Sequence, residues 1–371
     1  MKATRYISTL TGSTFINFVR ALIGNKPPIK FYPKLSLSAG ISMLVSGFAP
    51  IEKMLFRRQA KAVSFQPPPL FIIGHWRSGT TFLHNLLSQD PQFAYFTTYQ
   101  SLFPHTALLG QHIFKPFIKG ILPKHRPVDG IKLAADFPQE EEFALGNMNP
   151  YCFYYWWYFP DKLREYYRKY VLFEGISQKA EKQWNKDYRL LASKAMLNTD
   201  GQILLSKNPP NSARISVLNK LFPGARFLHI YRNPVEVYLS TKKFFLSTLP
   251  DLALNDYREE DIIDDIFYLY RNLMHQLIKQ SKLLDEAHIV SIRYEDFVAD
   301  PMSAIESLYQ QFNLHHFALA KPRFKQYIRS QTTHRTGQYS IRKSELNRIM
   351  DEWGFAMDAF NYKIPKDIKV H

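Results

Sequence analysis

The sequence predicts an α/β fold, with a parallel β-sheet flanked by helices, and two observations support this prediction. Short apolar runs that suit buried strands recur along the chain, and most are followed by a segment with the pattern of a helix. Strands that alternate with helices are typical of an open parallel sheet covered on both faces. Ligands bind such sheets at the carboxyl ends of the strands, so the residues that follow each strand are candidate site residues.

The composition indicates a folded, basic protein. The chain has 371 residues, with 48 Lys and Arg against 32 Asp and Glu, and a formal net charge of +16. A hydrophobic content of 46% excludes a largely disordered chain, because disorder requires low hydrophobicity together with high charge. The positive charge indicates anionic partners such as nucleic acid, anionic lipid or a multiply charged small molecule. A single cysteine, Cys152, can form neither an internal disulfide nor a zinc site, which favours a cytoplasmic protein.

Residues 1–66 predict a helical N-terminal extension packed on the core, closed by prolines at 67–69. Neither a signal peptide nor a membrane span is expected. The uncharged stretch 35–51 contains four Ser, two Gly and one Pro, and it falls short of the ~20 apolar residues that a span requires. Segment 51–61 has two readings: a basic amphipathic helix on a membrane, or a helix packed on the core with its basic face in water. The second reading is favoured, and peripheral membrane contact through this basic region stays open.

The rest of the chain, 67–371, is expected to form one domain. Its predicted strands are short apolar runs at 70–73, 93–97, 203–206, 227–231 and 289–292. Its predicted helices lie at 80–89, 163–197 with a break at Gly175, 212–221, 258–286 and in a segment ending at Phe312. A further helix begins after Asn233 as N-cap, with Pro234 at N1 and Glu236 completing a capping box.

A glycine-bounded loop follows the first strand. The run GHWRSGTT at 74–81 joins this strand to a helix whose N-terminus offers free N–H groups and the positive end of its dipole. Gly74 and Gly79 have the spacing of a P-loop, but Thr80 stands where the P-loop lysine belongs, and the cation is Arg77 inside the loop. The loop therefore predicts a site for a phosphate-type anion.

Two later strands end in cations. The strand 203–206 is followed by Lys207 and the strand 227–231 by Arg232. A nucleoside triphosphatase needs an acid at such a strand end to hold Mg²⁺. We therefore expect protein cations and no metal at this site, and a metal-dependent nucleotide kinase becomes the alternative.

These motifs resemble those of sulfotransferases that use 3′-phosphoadenosine 5′-phosphosulfate (PAPS). Arg77-Ser-Gly-Thr-Thr is similar to the family's 5′-phosphosulfate loop, and the run from Arg232 to Ser240 is similar to its 3′-phosphate motif. Lys207 matches the lysine near the sulfuryl group, and Tyr294 matches an adenine contact of the cytosolic branch. The resemblance extends over about 70–300 and implies a P-loop-kinase-like sulfotransferase fold of the bacterial-type branch.

The resemblance also implies PAPS as the donor, 3′-phosphoadenosine 5′-phosphate (PAP) as the product, and no metal. The implied cofactor-binding residues are Arg77, Ser78, Gly79, Thr80, Thr81, Arg232, Ser240 and Tyr294. A C-terminal cation, Arg335, Arg342 or Lys343, is a further candidate for the 3′-phosphate. No nucleic acid partner is expected.

The general base is not where better-known branches of the family carry it. Pro209 stands at the position of the cytosolic branch's histidine, and Thr98 near that of the acid in other branches. The remaining candidates are the acidic run 140–142, through Glu140 or Glu142, and His105. A solvated helix start is an equally good explanation of the acids, and a structural hydrogen bond explains a lone histidine better than catalysis does. Arg77 and Lys207 are expected to stabilise developing charge.

The acceptor is the least determined part of the prediction. Segment 137–200 is expected to be a helical and aromatic insertion on the acceptor side, with aromatic residues crowded at 151–159. An aromatic wall favours a hydrophobic alcohol such as a sterol or lipid, while a glycan or glycolipid also stacks on aromatic rings. A core segment without ligand contact is at least as good an explanation. A catalytically silent basic binding module stays as a third class.

Overall fold

The computed structural model describes residues 8–121, 134–331 and 340–371. The chain divides into two compact units, each built from separate stretches of sequence. Unit 1 comprises Met1–Pro67, Gln92–Ser206 and Leu246–Ile262, and unit 2 comprises Pro68–Pro91, Lys207–Phe245 and Ile263–His371. The predicted extension 1–66 thus shares a unit with the whole segment that lies between the second and third strands.

The helices and strands are numbered in chain order. The helices are α1 (Phe15–Ile23), α2 (Tyr32–Ala62), α3 (Thr80–Leu87), α4 (Thr98–Leu102), α5 (Gly110–Ile113), α6 (Lys115–Ile121), α7 (Glu141–Met148), α8 (Leu163–Tyr170), α9 (Gln178–Thr199), α10 (Ile215–Leu221), α11 (Pro234–Leu252), α12 (Glu259–Ser281), α13 (Tyr294–Ala299), α14 (Pro301–Gln311), α15 (Phe317–Ser330) and α16 (Lys343–Ala359). The strands are β1 (Leu70–Ile73), β2 (Phe93–Tyr95), β3 (Ile203–Lys207), β4 (Arg226–Tyr231), β5 (Ile289–Arg293), β6 (Ser340–Ile341) and β7 (Lys369–Val370).

The strands pair in parallel within each unit. In unit 1, Phe93 of β2 lies opposite Ile203 of β3. In unit 2, β4 lies between β1 and β5, with Leu70 opposite Arg226 and Phe227 opposite Ile289. β1 and β3 are buried along their whole length, which is why β1 is a continuous apolar run and β3 begins with three apolar residues. The predicted α/β class, a parallel sheet flanked by helices, is confirmed.

Backbone-restricting residues divide two of the predicted helices. The break expected in 163–197 lies between α8 and α9, where Gly175 has a φ of +70°. The helix expected to end at Phe312 is two helices, because Pro301 starts α14 afresh and the Asp300 side chain accepts from the N–H of Ser303.

α2 is longer than the sequence predicted. It is one helix of 31 residues that continues through Pro50. The segment Ile29–Ala62 is long and apolar enough to cross a membrane, with a mean hydropathy of 1.3 over its best window, and 28% of that window is buried in the protein. The expectation that this region is too short and polar for a span is therefore not supported by helix length.

The aromatic run lies in the core of unit 1. Phe153–Trp157 is a 3₁₀ helix with every side chain buried, and the rings of Trp156 and Trp157 stack with centroids 4.0 Å apart. This burial favours the reading of a core segment over that of an acceptor wall.

Candidate functional site

The phosphate-loop motif of unit 2 is a tight turn between β1 and α3. Gly79, the N-cap of α3, has a φ of +95°, and Arg77 also lies in the left-handed region at +69°. A Cβ atom on Gly79 would lie 2.4 Å from Cδ2 of Tyr294, and one on Gly74 would lie 2.3 Å from the carbonyl oxygen of Ile230. Both glycines are therefore required by close approach, and the loop backbone stays near the N-terminus of α3.

A serine outside the predicted motif holds the start of the loop. The hydroxyl of Ser212 accepts from the N–H of Gly74 at 2.8 Å and donates to the Gly74 carbonyl at 3.2 Å. Ser212 lies in the 3₁₀ helix Pro209–Ala213, which includes the first two residues of the helix predicted at 212–221. The sequence carries no signal for this contact, since it joins positions 138 residues apart.

The 3′-phosphate motif meets the phosphate loop within unit 2. Arg77 donates from Nε to Oγ of Ser240 at 3.0 Å. The guanidinium of Arg232 lies 4.5 Å from the ring centroid of Tyr294, the same ring that covers Gly79. Residues from the loop, from the end of β4, from α11 and from α13 are thus linked by these contacts within unit 2.

Arg232 is held by its own helix. Its Nε donates to Oε2 of Glu236 at 2.9 Å, and both side chains are largely buried. The prediction for Glu236 was a capping box at the start of α11, and the structure corrects it: the carboxylate pairs with the opposite charge one turn away. Asn233 does cap, through its Oδ1 and the N–H of Val235 at 3.0 Å.

The other predicted nucleotide contacts differ in exposure. Ser78, Thr80 and Lys207 are buried, and Thr81 is half-buried. A buried ammonium such as that of Lys207, the last residue of β3, requires acceptors or an opposite charge. Among the C-terminal cations, Arg342 and Lys343 are exposed at the start of α16, and Arg335 lies outside the described residues.

The acidic run of unit 1 splits into three environments. Glu140 is half-buried and accepts a hydrogen bond from the hydroxyl of Tyr154. Glu142 is fully buried, and its Oε1 accepts from the N–H of Phe153 at 3.1 Å. The contact of Glu142 supports the turn before the aromatic run.

Glu141, which was not among the predicted bases, is fully buried like Glu142. Its Oε1 accepts from Tyr188 at 2.5 Å and from Ser206, the neighbour of Lys207 in the chain, at 2.6 Å. Burial raises the pKa of Glu141, and these two hydrogen bonds oppose the rise. A pattern of three consecutive acids does not tell which carboxylate faces inward, so the sequence could not find this residue.

His105 lies in unit 1 with its half-buried ring against α7. Its Nε2–H donates to the carbonyl oxygen of Asn147 at 3.1 Å. Burial, together with the charge of Lys194, lowers the pKa of His105 to about 4. The ring is therefore neutral at neutral pH and has Nδ1 as its acceptor.

Within residues 8–121, 134–331 and 340–371, no group of three or more His, Cys, Asp or Glu side chains is arranged to hold a metal ion.

Comparison with known proteins gives a consistent family relationship. Residues 68–318 match the model described as "Sulfotransferase family". The chain is 30% identical over 356 residues to the omega-hydroxy-beta-dihydromenaquinone-9 sulfotransferase Stf3 of Mycobacterium bovis, covering 95% of this chain and 90% of that protein.

Solved structures share the fold. Sulfotransferase STF9 from Mycobacterium avium superposes with a TM-score of 0.70 at 15% identity, over 95% of this chain and 97% of that one. STF1 from Mycobacterium tuberculosis gives a TM-score of 0.62 at 15% identity, over 83% and 84% of the two chains.

Proposed function

The chain belongs to the sulfotransferase family, and from this premise we propose that it transfers the sulfuryl group of PAPS to the hydroxyl of a hydrophobic alcohol. The observation that supports PAPS as the donor is that the two phosphate motifs meet in unit 2, where Arg77 and Ser240 are hydrogen-bonded. A metal-dependent kinase, the alternative from the loop spacing, loses its support with the family assignment.

The chain's own groups suit a nucleotide with a separate 3′-phosphate. Arg232 presents a guanidinium fork at the end of β4, and such forks match phosphate oxygens. Ser240 adds a hydroxyl from α11, and the ring of Tyr294 offers a flat face beside Arg232. The two glycine positions leave no room for a side chain, so the backbone N–H groups of the loop stay close to the anion.

The bound donor supplies the sulfuryl group and a phosphate leaving group. Arg77, Thr80 and Lys207, with the N–H groups at the start of α3, would stabilise charge on the oxygens that surround the reacting sulfur. Preorganised donors of this kind are usually the largest contribution to such reactions. Ser78, Gly79 and Thr81 complete the loop that positions them.

For the base we propose Glu140. Its carboxylate is half-buried, whereas that of Glu142 is enclosed and bonded to a backbone N–H. The Nε2–H of His105 bonds to Asn147, which supports a structural role for that ring. A positioned base contributes roughly 10²–10⁴ in rate, so Glu140→Gln should lower kcat by that factor while leaving PAP affinity unchanged. Glu142→Gln and His105→Gln are the comparisons, and a larger loss of kcat in either, with the fold intact, would move the base to that residue.

For the acceptor we propose a lipid alcohol. The Stf3 relative is named for a hydroxylated menaquinone, a long apolar molecule with a terminal hydroxyl. A glycan or glycolipid is the competitor. Sulfate transfer from labelled PAPS to isoprenoid alcohols in micelles, compared with transfer to oligosaccharides, distinguishes the two classes.

The decisive test of the donor is the shift of the melting temperature with PAP, ADP and Mg·ATP. A ligand that binds only the folded state raises stability by RT ln(1 + [L]/Kd). PAP should give a clear shift and the others little. Arg77→Ala and Arg232→Ala should each remove the PAP shift, while Arg258→Ala, an exposed arginine of unit 1, should retain it. A shift with Mg·ATP alone would overturn the proposal.

A further inference from the structure

The outward face of α2 in unit 1 is apolar, although this face of a surface helix is normally polar. Leu37, Leu44 and Ile51 recur every seven residues on this face, and Met54 and Leu55 extend it. Leu44 is 65% exposed and Met54 is 75% exposed. The neighbouring helix α1 adds two exposed isoleucines, Ile16 and Ile23. We call these seven residues the apolar face.

The inward side of α2 carries the polar groups. Ser38 accepts from the N–H of Ser8 at 3.1 Å, and Ser42 donates to the carbonyl of Thr11 at 3.2 Å. Ser46 accepts from the N–H of Phe15 at 2.7 Å. The helix thus turns serines and Glu52 towards the protein, beside the buried Leu35, Val45 and Ala60, while large apolar side chains remain exposed on its outer side.

α2 is also held against the rest of unit 1 at two points. Near the start of the helix, Lys34 donates to the carbonyl oxygen of Asp251 at 2.6 Å. About two thirds of the way along, Glu52 accepts from the N–H groups of Leu108 and Leu109 and pairs with the ammonium of Lys194. A helix held along one side between these two points, about 27 Å apart, cannot be surrounded by lipid, so it is suited to lying on a bilayer rather than crossing one alone.

The charged residues of the segment that contains the apolar face are almost all cations. Residues 1–66 contain ten Lys or Arg and one acid, Glu52, which is buried. Lys53, Arg57, Arg58 and Lys61 are exposed on the last three turns of α2, next to Met54 and Leu55 in the sequence or within two turns after them. Cations beside an apolar helix face are typical of segments that bind anionic lipid surfaces.

A cavity of about 1450 Å³ in unit 1 adjoins the same face. Ile16, from the apolar face, forms part of its wall. Lys53, Arg57 and Lys61 from α2, and Lys186 from α9, also line it. Apolar and cationic groups therefore meet at one opening, as an anionic lipid with its acyl chains would require.

We propose that the apolar face and the cations of α2 dock unit 1 onto the surface of an anionic lipid bilayer. The apolar side chains enter the boundary between headgroups and acyl chains, and Lys53, Arg57, Arg58 and Lys61 contact the headgroup phosphates. A lipid acceptor, as proposed above, would then reach the enzyme from the membrane in which it is dissolved. The docking itself rests on the geometry of unit 1 and not on the identity of the acceptor.

The test is sedimentation of the full chain with vesicles of phosphatidylcholine alone and of phosphatidylcholine with about one third phosphatidylglycerol. We expect binding to the anionic vesicles to exceed binding to the neutral ones by about tenfold at low salt, and to weaken as salt rises. Leu44→Glu with Met54→Glu should lower vesicle binding by about tenfold or more, because each places a charge at the apolar boundary. Leu319→Glu changes a leucine of unit 2 that is 76% exposed, and it should bind like the unchanged protein.

Neutralising Arg57, Arg58 and Lys61 to Gln should remove the preference for anionic vesicles and flatten the salt dependence. The melting curve of each variant reports folding, and its PAP shift should match that of the unchanged protein, so failure of docking is distinguishable from failure of the proposed function. Unchanged vesicle binding in the Leu44/Met54 variant would overturn the proposal. The proposal would also be overturned if the protein bound neither kind of vesicle but formed a dimer, and if the Leu44/Met54 variant dissociated that dimer. The apolar face would then join two copies of the chain.

Discussion

At the scale of single residues, Gly79 sets the shape of the candidate nucleotide site. Its φ of +95° disfavours any other residue, and the ring of Tyr294 occupies the place of a Cβ atom. The loop and the ring of Tyr294 are thus packed against each other, and a change at one position affects the other.

Gly79→Ala should lower the free energy of unfolding by about 1–3 kcal/mol and reduce PAP affinity. Urea unfolding and PAP titration measure the two effects. Gly175→Ala is the matched control, since its φ is +70° but no neighbouring atom lies within 4 Å of the added carbon. If both substitutions lower the free energy of unfolding equally, the clash with Tyr294 makes no contribution. The close approach is then not the reason that glycine is required at position 79.

Tyr294 is expected to act through its ring face. Tyr294→Phe keeps a ring beside Arg232 and should retain PAP affinity, whereas Tyr294→Leu should weaken it by about 2- to 30-fold, the range of a cation–π contact. Calorimetric titration with PAP separates the two. Equal losses in both variants would assign the effect to the hydroxyl instead.

At the scale of elements, the buried pair of Glu52 and Lys194 determines where α2 sits on unit 1. The Glu52 carboxylate also accepts from two consecutive N–H groups, at Leu108 and Leu109. Removing the Glu52 carboxylate leaves a buried ammonium without its opposite charge and two backbone N–H groups without their acceptor. Each of these losses destabilises the folded state.

Glu52→Ala should therefore lower the free energy of unfolding by about 3–5 kcal/mol. Glu52→Leu combined with Lys194→Met should recover part of that loss, since no lone charge remains. Glu165→Ala, which breaks an exposed pair with Lys169 on α8, should have little effect. Denaturant unfolding monitors all three, and a small effect of Glu52→Ala would show that α2 is held by its apolar contacts alone.

The elements around the nucleotide motifs could be predicted from sequence because their signals are local. β1 is an apolar run, α3 is a helix, and a glycine-bounded loop joins them. Gly175 marks the break between α8 and α9, because glycine readily adopts the positive φ that the chain has there. Ser212, Glu141 and the exposed apolar face of α2 could not be predicted, because each depends on contacts with residues distant in the chain. The serines of 35–51 counted against a membrane segment in the sequence, and the structure shows that several of them face the protein.

At the scale of the whole molecule, buried histidines link stability to pH. Burial lowers the pKa of His75, His105 and His229 to about 4. The unfolded chain takes up these protons near pH 6.5, so the unfolded state binds more protons between pH 6.5 and 4.

The protein should accordingly lose stability as the pH falls from 6.5 towards 4, by up to about 1.4 kcal/mol per pH unit for each histidine. Glu141 acts in the opposite sense, because its raised pKa favours the folded state at low pH. Unfolding free energies at pH 7.5, 6 and 5 give the slope. His105→Gln should reduce it, and the exposed His112→Gln should not. A slope that is flat above pH 5 would contradict the assignment.

The parallel pairing in unit 2 has a consequence for how the chain is made. Leu70 of β1 pairs with Arg226, 156 residues later, and β5 follows more than 60 residues after that. On a translating ribosome, β1 and the phosphate loop that follows it emerge long before β4. Until β4 has been synthesised, β1 cannot pair with it. Such non-local pairing slows folding. We expect nascent chains that end before Tyr231 to expose β1 to chaperones, whereas unit 1 can begin to assemble α1 and α2 as soon as they leave the exit tunnel.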